Sequence, residues 1–205
     1  MIEITSEDVA RVEKILHDVP GGAERALSNA MNRGLSKVRT AAFKEVRGVY
    51  NVQNAALKAA TSTRIRRASG NNMIGSILFS GVKIPLYKFK VTPQAIGTGE
   101  TVKGSLEKGH MTEFAHAFIA EMDTGHIGVF ERTGVQGIES RLQKANGKGN
   151  KHTEKVGEIM GLSAAQMIGN SDVIERVESE AQETISARID HEIDRILNGY
   201  GGGKK

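Results

Sequence analysis

Cysteine and tryptophan are absent from the 205 residues, and aromatic side chains of any kind make up only 4%. Without cysteine the chain can form neither disulfides nor thiolate metal sites, and folding in a reducing cytoplasm is the natural expectation. With so few rings the core must come from Ile, Val, Leu, Met and Ala. An aromatic ligand pocket or base-stacking platform is not expected. Long apolar runs are missing as well. No stretch approaches the roughly 18 residues of a membrane span, so no membrane partner is expected. The opening segment Met1–Asp18 carries Glu3, Glu7, Asp8 and Glu13, unlike the basic start and apolar run of a signal peptide. The apolar content of 39% suffices for one domain, or one domain with a helical appendage.

The net charge of +4 is unevenly spread. Residues 51–110 hold nine basic and two acidic residues, whereas residues 171–205 hold five and eight. The basic segment could face nucleic acid, meet the acidic segment of a neighbouring copy, or simply face water.

Helical periodicity dominates the N-terminal part. Ser6 with Asp8 can cap a short helix through Leu16, and Pro20-Gly21-Gly22 interrupts it. Leu27, Met31, Leu35, Val38, Ala42, Val46 and Val49 then recur three or four residues apart. This spacing predicts a long amphipathic helix over 23–49. Asn51 reads as the cap of a short helix over 52–60. Near Thr61 the period shortens. Thr63–Arg67, Ile74–Phe79 and Thr101–Glu107 read as strands. Tyr87, Phe89 and Val91 alternate with Lys88 and Lys90 as in a half-buried strand. Phe114–Met122 and Ile127–Glu131 flank Asp123-Thr124-Gly125, which is hairpin chemistry. The polar, Gly-rich Asn146–Lys151 marks a loop over 134–157. Beyond it, a short helix is expected near Ala164–Ile168. Asn170 or Ser171 then caps a last helix with Ile174, Val177, Ala181, Ile185, Ile189, Ile193 and Ile196 on its apolar line.

The resulting expectation is an α+β fold. A long N-terminal helix would pack on an antiparallel meander or small sandwich, followed by a C-terminal helix. One structural domain would comprise a helical region 1–60, a sheet 61–133, a loop 134–157, a helical region 158–198 and a tail 199–205.

Catalytic signatures are not apparent. The six histidines form no H-E-x-x-H, and no two lie four apart on a helix, so neither metal nor cofactor is expected. Ser80-Gly81 and Ser163 lack the setting of a nucleophile elbow. Gly97-Thr98-Gly99 and Gly147-Lys148-Gly149 lack the strand–loop–helix context of phosphate loops. Arg64, Arg66 and Arg67 form the densest basic cluster, and Lys83, Lys88 and Lys90 extend it. Such charges neutralise phosphates without reading bases. Lys144, Lys148 and Lys151 place further positive charge on the loop, which could order against a partner.

The order of these features resembles the minor tail protein Z family of lambda-like phages and prophages. The resemblance rests on ALSNAMNRGLSKVRTAAFKEV (26–46), NVQNAALKAATSTRIRRAS (51–69), IPLYKFKVTP (84–93), FAHAFIAEMDTGHIGVFERTG (114–134) and HTEKVGEIMGLSAAQMIGN (152–170). In the last of these the chain departs from the family pattern, which has Tyr or Pro close to an Ile and then Pro. The resemblance implies a non-enzymatic virion protein, assembled in the host cytoplasm, that completes the head-proximal end of a tail. It implies a homo-oligomeric ring, a hexamer, beside the tail terminator and head-neck proteins, with viral DNA passing through. A stand-alone non-specific nucleic-acid-binding protein is the alternative reading.

Overall fold

The structure is a computed structural model in which residues 4–69, 74–132, 143–144, 152–153 and 156–199 are described. The chain is mixed α+β, with five α-helices and small antiparallel sheets among the described residues. It divides into two compact units. The first comprises residues 1–48, 61–81 and 165–205, and the second comprises 49–60 and 82–164.

The first unit is built on helices. Helix α1 spans Ser6–Ile15. Its cap is Thr5 rather than Ser6: the Thr5 hydroxyl accepts from the Asp8 backbone N–H at 3.1 Å. Helix α2, Gly22–Val49, buries Ala26, Leu27, Ala30, Met31, Leu35, Val38, Ala42 and Val46, the face its periodicity predicts. Helix α5, Ser171–Leu197, is capped by Asn170, whose side chain accepts from the Asp172 N–H. Its buried line begins at Val173, not Ile174, which is 40% exposed. A straight apolar stripe needs a three-residue step, available from Ile174 to Val177. The structure keeps four-residue steps throughout, so the buried line winds around α5.

Four contacts fix the register of α2 and α5. Asn29 meets Glu192, Lys37 meets Glu180 and Arg176 meets Glu45. Gly34 faces Ile185 so closely that an added Cβ would lie 2.4 Å from Ile185 Cγ1. Ascending numbers on one helix meet descending numbers on the other, so the pair is antiparallel. The hairpin of β1 (Thr61–Arg66) and β2 (Ser76–Gly81) completes this unit, paired from Thr61 opposite Gly81 to Arg66 opposite Ser76. Ile65 and Ile77 pack on the core that includes Val12, Leu27, Met31, Ile185 and Ile189. Each fully buried Ile or Leu in that core contributes about 1.5–3 kcal/mol. Phe79 meets Phe43 edge-on with ring centroids 6.3 Å apart.

The second unit is made of short strands. Helix α3, Asn54–Ala59, is preceded by Gln53, which makes no side-chain cap bond. Asn51 is not its cap: its amide donates instead to Ser105 Oγ at 2.8 Å. Strand β3 is Lys83–Pro85, and a 3-10 turn at Leu86–Lys88 precedes β4, Lys90–Thr92. The expected continuous strand through Tyr87–Val91 is therefore broken. Residues three apart share a face in a 3-10 turn, so Leu86 and Phe89 are both buried and Lys88 turns partly inward. Strands β4, β5 (Val102–Ser105) and β6 (Thr112–Phe114) form one three-stranded meander. Strands β7 (Ala117–Glu121) and β8 (Ile127–Arg132) form the hairpin expected around Asp123-Thr124-Gly125. Gly125, with φ +78, supplies its left-handed position.

Strands β9 (Gln143–Lys144) and β10 (His152–Thr153) pair as a two-residue ladder inside the segment expected to be a loop; the rest of 133–151 lies outside the described residues. Strand β11, Val156–Glu158, adds to β8, and β12, Met160–Ser163, pairs with β3. A C-terminal region helical from 158 onward is thus corrected: strand persists to Ser163, and the short helix α4 runs Ala164–Ile168. The reason lies at Gly161, where a Cβ would lie 2.6 Å from the Phe89 ring. Only a glycine lets this strand approach so closely. Leu86, Val91, Val102, Ile119 and Val129 form the core of this unit. The strands therefore do not join into one meander; they form several small antiparallel sheets.

Candidate functional site

The six basic residues singled out in the sequence fall in two places. Arg64 and Arg66 occupy the exposed face of β1, opposite Leu78 and Ser76 of β2. Leu78 is 59% exposed, so this face combines two guanidinium groups with an apolar side chain. Arg67 follows the strand and is also exposed. Lys83, Lys88 and Lys90 belong to the second unit. Lys83 and Lys90 are exposed, while Lys88 is half-buried with Nζ 5.8 Å from the Tyr87 ring centroid. A segment that is contiguous and basic in sequence is thus shared between two units. Lys144 lies in β9, whose backbone alone is described, and Lys148 and Lys151 lie outside the described residues.

The structure brings Arg67 to a cavity of about 350 Å³ in the first unit. Asn32 places it there. Its amide donates to the Ala68 carbonyl at 2.9 Å and its carbonyl oxygen accepts from the Ala68 N–H at 2.9 Å. Both backbone groups of the residue after Arg67 are thereby tied to α2. One turn of α2 contributes Arg33 and Ser36, and α5 contributes Arg188, Glu192 and Arg195. Glu192 is only 1% exposed. Its carboxylate lies 2.9 Å from Arg188 Nη2 and 3.3 Å from Arg195 Nη1, and it accepts from the Asn29 amide at 3.2 Å. The Arg188 contact is close but poorly aligned, because Glu192 Oε1 has no hydrogen-bond donor among the described residues. It acts through charge more than through a directed bond. A carboxylate this deep requires such cations around it.

Sequence periodicity missed this cluster. No repeating period or motif in the sequence marks Glu192, Arg33, Arg188 or Arg195. The available signal was local: Arg188 and Arg195 stand four before and three after Glu192, the spacings at which helix side chains meet.

Two other ion pairs hold helices together. Arg11 Nη1 lies 2.6 Å from Asp190 Oδ1, a hydrogen bond that raises the Arg11 pKa. Glu180 is held below its ordinary carboxyl value by its hydrogen bond with Lys37. Among the described residues no three His, Asp or Glu side chains cluster as metal ligands. His126 Nε2 instead lies 2.7 Å from Glu158 Oε1. A second cavity, of about 440 Å³, lies in the second unit against Pro93, Gly97, Gly99, Phe118 and Arg132. No helix among the described residues is long and apolar enough to cross a membrane. No protein family, curated protein or solved structure in the comparisons matches this chain.

Proposed function

We propose that this chain is a non-enzymatic structural subunit of a tailed bacteriophage, resident in the virion at the head-proximal end of the tail. The observation that carries this reading is the resemblance of five stretches, in order between Ala26 and Asn170, to the minor tail protein Z family. The subunit would join a hexameric ring beside the tail terminator and head-neck proteins, around the passage taken by viral DNA. A surface feature supports a ring. Arg64 and Arg66 on the hairpin and Glu175, Glu183 and Asp194 on α5 are all exposed on the same unit. A head-to-tail ring can bring such unlike faces of successive copies together. Imaging of virions labelled on this protein tests the reading: a ring of density at the tail–head junction is expected, and label in the capsid shell overturns it.

A second reading is a stand-alone, non-specific nucleic-acid binder. Arg64 and Arg66 favour it, being exposed and without a carboxylate partner among the described residues. Titration of the isolated protein with duplex DNA separates the two. A binder loses affinity steeply with salt, with a log–log slope of about −0.9 per phosphate contact.

A further inference from the structure

We infer that the cavity between α2, α5 and the exit of β1 is a binding site for an oxyanion of the phosphate class. This does not rest on the tail assignment. Four guanidinium groups, Arg33, Arg67, Arg188 and Arg195, line one cavity of about 350 Å³ together with a single carboxylate. That carboxylate is already engaged. Glu192 lies beneath the cavity, in contact with Arg188, Arg195 and Asn29. Arg33 and Arg67 have no carboxylate partner among the described residues. Their positive charge faces the same space as that of the other two. Like charges held together are unfavourable, and an anion between them removes the penalty. Guanidinium groups present planar forks of N–H donors that match the oxygens of phosphate, which makes arginine the preferred residue for such groups.

The cluster is built to last in this geometry. Glu192 acts as a positioning residue: it contacts Arg188 and Arg195 each through one terminal nitrogen. Asn32 fixes the backbone beside Arg67 through two hydrogen bonds, so its amide is committed to that task. Ser36 also lines the cavity, with its hydroxyl donating to the Asn32 backbone carbonyl at 3.0 Å. A purely structural ion cluster around Glu192 would need Arg188 and Arg195. It would have no use for Arg33 and Arg67, which are exposed and touch no carboxylate among the described residues. The two unpaired arginines are what point to a ligand. The volume exceeds that of a lone phosphate and leaves space for the group that carries it. Two sources fit, a small phosphorylated molecule and the backbone of a nucleic acid.

The experiment is calorimetric titration of the full chain with inorganic phosphate, with total ionic strength held constant by chloride. Saturable binding with one site per chain is expected. The double variant Arg33→Ala/Arg67→Ala should bind roughly a hundredfold more weakly, each lost charge-assisted bond being worth about a factor of ten. The double variant Arg39→Ala/Arg47→Ala removes the same charge from α2 outside the cavity and should bind like the parent. Circular dichroism and Tm establish that both variants are folded. Phosphate binding that is absent in the parent, unchanged in Arg33→Ala/Arg67→Ala, or equally lost in both variants overturns the inference. Competition with a short DNA duplex then identifies the source. Displacement of phosphate by duplex assigns the cavity to a nucleic-acid backbone, and failure to displace assigns it to a small phosphorylated ligand.

Discussion

The two units of this chain solve the same problem, burying aliphatic side chains with almost no aromatics, in opposite ways. The first commits long stretches to one rule. Along α2 and α5 nearly every third or fourth residue faces the other elements of the unit, and one close approach, Gly34 against Ile185, seats the pair. The second proceeds by local exceptions: a 3-10 turn that faces Leu86 and Phe89 inward, an irregular register between β12 and β3, and Gly161 against the Phe89 ring. Regularity spreads stability over many closely packed aliphatic contacts. Exceptions concentrate it in a few positions that admit little change.

The sharpest test of this contrast is truncation in the helical core. Ile189 is fully buried, and Ile189→Ala should cost about 2–5 kcal/mol in urea unfolding, the range for large-to-small core changes. A loss under 1 kcal/mol would mean that the helices re-pack readily and the contrast is weaker than drawn. Next come the two close glycines. Gly34→Ala gains about 1 kcal/mol of helix propensity but drives a methyl into Ile185; we expect a net loss of about 1 kcal/mol, since overpacking costs 1–3 kcal/mol. Gly161→Ala has no such compensation in a strand and meets a rigid ring, so about 2 kcal/mol is expected. If Gly34→Ala proves the more damaging, the second unit is the more adaptable of the two. Smaller effects belong to the surface. Arg64→Glu in one unit and Lys90→Glu in the other should each change stability by about 0–1 kcal/mol; under the proposed tail role, virion assembly is the second readout, and it should fall while stability holds.

The smallest effect is electrostatic and has a definite sign. The folded state holds the Glu180 carboxyl below its ordinary value of 4.5 through the hydrogen bond with Lys37. Its stabilisation is therefore fully present above that value and disappears as pH falls through the depressed one. Lys37→Met should flatten the acid side of the stability curve and leave the neutral region nearly untouched. An unchanged acid limb would show that the Lys37–Glu180 pair does not outlast solvent screening.

What could be read from sequence follows the same division. The long helices, their buried faces, the Asn170 cap and the β7–β8 hairpin were legible because each obeys a repeating period or a recognised turn. The departures came where one residue had two equally good periodic readings or where the partner was distant in sequence. Val173 and Ile174 are adjacent and both apolar, and only the winding of the buried line chooses between them. Asn51 has the chemistry of a cap but spends its amide on Ser105, more than fifty residues away. Strand β12, Met160–Ser163, brings Gly161 against the Phe89 ring, a contact no local pattern announces. The arginine cavity is the extreme case. Its members come from three separated segments, and Glu192, a carboxylate beside the buried Ile193, is held in place by Arg188, Arg195 and Asn29 converging on it.

The pairing of Gly34 with Ile185 has a further consequence in time. The helix that fills the notch in α2 is encoded about 150 residues later, with the whole of the second unit lying between. On a translating ribosome, adding 5–20 residues per second, α2 waits on the order of ten seconds for its partner. During that interval Leu27, Met31 and Leu35 have no α5 to cover them, although the hairpin emerges early and can shield part of the stripe. The intervening unit, contiguous except for residues 61–81, is synthesised in full before α5 appears. The order of synthesis thus favours completing the second unit first and closing the first one around its late helix, and makes the nascent α2 the segment most in need of a chaperone.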